Sequence, residues 1–122
     1  MLLDANVLLR YILNDHPELS TRAKEIIQNS DDVFAPNEVI AEVVYVLSSV
    51  YKVERGDVEK MLNLLMNDVS FSDRKAMTLA LSYFSETKLD FVDCIIAAEH
   101  ISNGTEISSF DKKLINFIKS KE

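Results

Sequence analysis

Residues 1–13, MLLDANVLLRYIL, set a carboxylate between two apolar runs. Leu2 and Leu3 read as a short buried strand. Val7, Leu8, Tyr11 and Ile12 recur at the spacing of one helix face, so a helix follows almost at once. Asp4 falls at the joint between them. In an open parallel sheet, sites form just beyond the carboxyl ends of the strands. A strand, an acid and a helix in that order therefore suggest both an α/β class and a first candidate for chemistry.

The rest of the chain repeats the alternation. Helices are predicted over 18–29, 37–49, from about Glu54 to 67, over 74–86 behind Asp73, over 91–103 behind Asp90, and over 112–119 behind Asp111. Strands are predicted over 32–35, 68–72 and 106–109, and Gly104 is placed to end the helix before the last of them. Strands separated by helices indicate a parallel sheet covered on both faces. The expected architecture is a three-layer α/β/α sandwich with a central parallel sheet of four to five short strands, in a single domain over 1–122.

Composition agrees with an ordered globular chain. It has 122 residues, 48% hydrophobic, with only two Gly and two Pro, and a chain of that size buries roughly two thirds of its unfolded surface. No apolar stretch is long enough to cross a bilayer, and the N-terminus lacks the pattern of a signal peptide, so a cytoplasmic location is expected. One cysteine, Cys94, allows neither an internal disulfide nor a cysteine-based zinc site. A net charge of −7 speaks against nucleic-acid binding when taken alone. It speaks less strongly if several acids are gathered around bound cations.

Four further carboxylates look out of place. Asp111 follows "EISSF" as Asp4 follows Leu3, and an N-cap role accounts for either one singly. Glu42 lies mid-helix in "EVIAEVVYVL", one turn from Glu38, among residues that read as inward-facing. Asp90 and Asp93 share the first turn of a helix, where a cap and an acid complementing the helix dipole explain both. Carboxylates about 4 Å apart repel by about 4 kcal/mol per pair at an effective dielectric of 20. A hard divalent cation, Mg²⁺ or Mn²⁺, relieves that repulsion and leaves coordination positions for a phosphate and a water. Metal-assisted phosphodiester hydrolysis is the chemistry such a cluster suggests.

The segments "LLDANVLLRYIL", "APNEVIAEVVYVLSSVYKVER", "LDFVDCIIAAEHISNG" and "ISSFDKKL" resemble, in order and spacing, those of PIN-domain ribonucleases. The size is similar to VapC-type toxins of toxin–antitoxin pairs. Carried over position by position, the resemblance implies an acidic quartet of Asp4, Glu42, Asp93 and Asp111 that is both catalytic and metal-holding. Asn6 and Ser109 fall at the supporting polar positions, and Asp90 at a supporting acid. It also implies a Mg²⁺- or Mn²⁺-dependent endoribonuclease, inhibited by a cognate antitoxin protein and homodimeric. Two departures stand out: the chain stops soon after the last helix, where relatives add a fifth strand, and its bulk charge is acidic. RNA must then meet a local basic rim, for which Arg10 is the first candidate and Arg55, Lys112 and Lys113 follow.

Other features are assigned to structure. His16 is read as an exposed turn residue, His100 as two turns removed from Asp93, and Cys94 as a small core residue. Met61, Leu62, Leu64, Leu65 and Met66 are too apolar for one helix face, and part of that group is available to a dimer or an antitoxin. A haloacid-dehalogenase phosphatase needs an acid where Asn6 stands, and a receiver domain needs an acidic pair that "LLDAN" lacks. The remaining rival is a PIN-like fold without catalysis, serving as an RNA- or protein-binding module.

Overall fold

A computed structural model describes residues 1–122. The chain falls into two compact units, Met1–Ser72 and Asp73–Glu122. It is an α/β protein, mostly helical, with a small parallel sheet. No helix is long and apolar enough to cross a membrane.

The first unit holds α1 (Ala5–Leu13), α2 (Pro17–Asn29), β1 (Phe34–Ala35), α3 (Asn37–Ser49), α4 (Arg55–Leu65) and β2 (Ser70–Phe71). β1 and β2 pair in parallel, Phe34 with Ser70 and Ala35 with Phe71. Leu2 adds a parallel bridge to Phe34, fixed by Leu3 N–H donating to the Phe34 carbonyl at 2.9 Å and Phe34 N–H donating to Met1 at 3.0 Å. Pro36 ends β1, since it has no N–H to continue a ladder, and its carbonyl accepts from Val39 and Ile40 at the start of α3. Asn14 closes α1 in the left-handed conformation, which asparagine tolerates. α1 packs on α2 and α3, and α3 on α4. Leu8, Ile40, Val43, Val44, Leu47, Val58 and Leu62 are fully buried in this unit.

The second unit is helical: α5 (Arg74–Glu86), α6 (Phe91–Asn103) and α7 (Lys112–Lys121). α5 and α6 form its main packing pair, and α7 lies against α6. Phe84 and Phe91 meet edge to face at 5.5 Å between centroids, and Tyr83 meets Phe117 at 4.8 Å, the geometry that aromatic quadrupoles favour. Lys121 spans the Tyr83 and Phe117 rings and pairs with Glu86 at 2.9 Å. Gly104 closes α6 at φ +69, the conformation for which a glycine is needed. Cys94 is buried, as a core residue should be.

Three expectations are corrected. The segment 106–109 forms no strand, so the sheet consists of β1, β2 and the Leu2 bridge instead of four to five strands. The sheet is also not sealed on both faces. Leu3, Val33, Ala35 and Val69 are buried, but Leu2 is 55% exposed and Phe34 is partly open. The first strand therefore buries alternate residues, as a half-covered strand does. Finally, Glu42 does not sit among inward residues: it is exposed, and Tyr45 beside it is 66% exposed. β-branched and aromatic residues on that turn misled the periodicity.

Candidate active site

In the first unit Asp4 holds the N-cap of α1. Its backbone is extended, and its Oδ1 accepts from Val7 N–H at 3.0 Å, satisfying one of the donors that a helix start leaves unpaired. That bond uses one carboxylate oxygen. Asp4 and Asn6 are both exposed, as is Glu42 on α3. Arg10, expected to meet RNA, is engaged at home: one guanidinium N–H donates to Asp15 at 2.8 Å and another to the Tyr51 hydroxyl at 3.2 Å. The Tyr51 bond, with Asp15 adding to it, raises the arginine's pKa further.

In the second unit two acids act on a third. Asp93, half-buried on the first turn of α6, has a carboxyl pKa raised above the usual range. Burial is the largest cause, and the negative charges of Asp111 and Asp90 add to it. Asp90 stands at the N-cap of α6 without making a side-chain cap bond, so its carboxylate is not consumed by the helix. Asp111 caps α7, its Oδ1 accepting from Lys113 N–H at 2.9 Å and from Leu114 N–H at 3.4 Å. Ser109 fixes the turn before it, the Ser109 Oγ accepting from Asp111 N–H at 3.0 Å.

The family model of the PIN domain matches residues 1–119. This chain belongs to the PIN domain family. Over 118 residues the PIN domain is 30% identical to the VapC ribonuclease of Aquifex aeolicus (strain VF5), covering 92% of this chain and 87% of the relative. No solved structure gives a significant match. The four segments quoted from the sequence all fall inside the matched PIN domain residues.

Within this PIN domain, Asp90, Asp93, Ser109 and Asp111 belong to the second unit, and Asp4, Asn6, Arg10 and Glu42 to the first. Neither unit alone gathers three or more His, Cys, Asp or Glu side chains into a metal-holding group. The donor set fits a hard cation in its chemistry. The candidates are carboxylates, supported by a hydroxyl and an amide, with no thiolate or imidazole among them. Asp93 feels the repulsion that such a cation would remove.

Two features escaped the sequence. His16 is not idle: its Nδ1 accepts from Leu19 N–H at 3.0 Å and caps α2, with Pro17 at the first helical position. His100 joins Thr105 to Glu122, its Nδ1 lying 2.8 Å from the Thr105 carbonyl and its Nε2 3.1 Å from Glu122 Oε1. Both interactions raise its pKa. A histidine just before a proline in a polar turn is a recognisable cap signal in hindsight. The His100 bridge depends on a partner 22 residues away, which no local pattern announces.

Proposed function

We propose that this PIN domain is a metal-dependent endoribonuclease, hydrolysing RNA phosphodiester bonds, and the toxin of a toxin–antitoxin pair. One observation carries the site: Asp111, at the head of α7, acts on Asp93 of α6, which sets two family-position acids against each other. The similarity to a VapC ribonuclease along most of both chains supports RNA as substrate and an antitoxin protein as partner.

Asp4, Glu42, Asp93 and Asp111 are the residues that would hold Mg²⁺ or Mn²⁺. When bound, the ion supplies positive charge against the phosphodiester and the acidity that makes water a nucleophile at neutral pH. Ser109 holds the backbone of Asp111, and the Asp4 and Asp111 cap bonds fix the orientation of their carboxylates. The charged form of Asp93 is disfavoured by burial first and then by the charges of Asp111 and Asp90, which a bound cation would offset. Asn6 and Asp90 serve as supporting polar groups. Arg10, locked by Asp15 and Tyr51, meets the substrate as a pre-oriented charge.

The chain acts as one domain over 1–122, as a homodimer and in the cytoplasm. A groove of about 300 Å³, lined by Tyr11, Ile12, Met61, Leu64, Leu65 and Asp68, offers apolar surface for a protein partner.

The test is cleavage of unstructured RNA by purified protein with Mg²⁺, Mn²⁺ or chelator, beside Asp4→Asn and Asp93→Asn. Metal-dependent cleavage lost in both variants is expected. Cleavage that persists in chelator or survives the substitutions would refute the assignment, and RNA binding without any cleavage would point to a binding module instead.

A further inference from the structure

Phe110 is wholly exposed, more so than any other large apolar side chain of the protein. Its neighbours are polar: Ser108 and Ser109 before it, Asp111, Lys112 and Lys113 after it. A protein-docking face needs a contiguous apolar patch of a few hundred Å², and one aromatic ring among hydroxyls and charges is not one. Nor does Phe110 contribute to a core, since burial is what would stabilise it there.

The two lysines are also unexplained by the fold. Lys112 and Lys113 are the first two residues of α7, and no acidic residue lies in that first turn. Positive charge is unfavourable at a helix N-terminus, where the backbone already presents the positive end of the helix dipole. Neither lysine takes part in the Arg10–Asp15, His100–Glu122 or Lys121–Glu86 ion pairs, and the Asp111 carboxylate at the N-cap is the negative charge nearest to them in sequence. An exposed ring and two unpaired cations thus stand within three residues of one another, on either side of Asp111. All three side chains are exposed, around the Asp111 carboxylate that caps the helix.

We infer that Phe110 is a stacking platform for one base of single-stranded RNA, with Lys112 and Lys113 on the flanking phosphates, and that it seats the strand beside Asp111. This rests on the ribonuclease assignment and deepens it by naming the form of RNA the site takes. An aromatic ring offers every base the same face, so the stacking is tolerant of sequence, while the lysines follow the backbone charge. A duplex keeps its bases stacked on one another and has none to offer the ring. The site therefore selects unpaired RNA at the position next to the cleaved bond, and the −7 chain meets a polyanion through a small basic rim.

The test is fluorescence anisotropy of a short, unstructured, labelled RNA against the full chain in chelator, so that binding is read without cleavage. The variants are Phe110→Ala, Phe110→Leu, Phe110→Trp and the pair Lys112→Ala/Lys113→Ala, each checked for an unchanged melting temperature. Phe110→Ala and Phe110→Leu are expected to weaken binding by roughly 5- to 100-fold and Phe110→Trp to retain it. The lysine pair is expected to weaken binding to all sequences and to flatten its salt dependence, by roughly 0.7 in log–log slope for each phosphate no longer neutralised. A perfect duplex should bind more weakly and ignore Phe110.

Wild-type affinity in Phe110→Leu would overturn stacking, and so would equal weakening on duplex and single strand. Unchanged RNA binding in Phe110→Ala combined with altered self-association on size exclusion would assign the ring to a protein interface and also overturn it. Should the wild type bind no RNA, the platform falls at once. The cleavage assay with Asp4→Asn reports separately on the ribonuclease assignment, so the two failures are distinguishable.

Discussion

Asp111, at the head of α7, raises the pKa of Asp93 on α6, adding to the larger effect of burial and joined by Asp90. A folded-state pKa above the unfolded value means that the charged form is disfavoured by folding. The stabilising effect of Asp93 is fully present below its unfolded value, near 4, and is lost as pH rises through the raised folded value. At neutral pH this side chain therefore works against the fold. Asp93→Asn should raise the melting temperature in chelator while abolishing cleavage. Added Mg²⁺ or Mn²⁺ should stabilise the wild type more than the variant, which differential scanning fluorimetry would detect. A lower melting temperature for Asp93→Asn in chelator would show that its charge is not strained.

The capping role of Asp111 and the metal-holding role proposed for it are separated by one pair of substitutions. Asparagine caps a helix about as well as aspartate, whereas alanine does not, at a cost of about 1 kcal/mol. Asp111→Asn should lose cleavage and keep its denaturation midpoint. Asp111→Ala should lose both.

His100 carries a pKa raised chiefly by the Thr105 carbonyl and then by Glu122. Its stabilising effect is present below the unfolded value, near 6.5, and disappears as pH climbs through the raised folded value. The difference in melting temperature between wild type and His100→Ala should thus be wide at pH 5.5 and narrow at pH 9. Equal gaps at both would mean that the protonated ring adds nothing to its two hydrogen bonds.

Leu62 on α4 is fully buried. Leu62→Ala should cost about 2–5 kcal/mol through forfeited transfer energy and the cavity left behind. Urea denaturation measures it, with a lower midpoint and an unchanged slope.

Helices were legible wherever an apolar period met a start or stop residue. Asp73 and Gly104 mark helix ends chemically, and α3, α5 and α6 run over the predicted residues. The sheet was less legible, because two-residue strands carry almost no period to read and 106–109 alternates in burial without pairing. Among the acids, Asp4 and Asp111 announced themselves by position, since the strand–acid–helix order that marks a cap also marks a site. Glu42 reads as inward from its sequence neighbours, yet Tyr45 is exposed, so its candidacy rests on family position. Phe110 carries no such local signal, because exposure is a tertiary property: "SSFDKK" gives no sign that its aromatic residue stays uncovered.

The capping bonds of Asp4 and Asp111 each run through Oδ1, and an amide oxygen can take the same place. A single nucleotide change from an aspartate to an asparagine codon at either position would leave a chain that folds as before and, under the proposed mechanism, cuts nothing. Disarmed copies of this gene should therefore persist in genomes as intact reading frames, indistinguishable from armed ones by expression level.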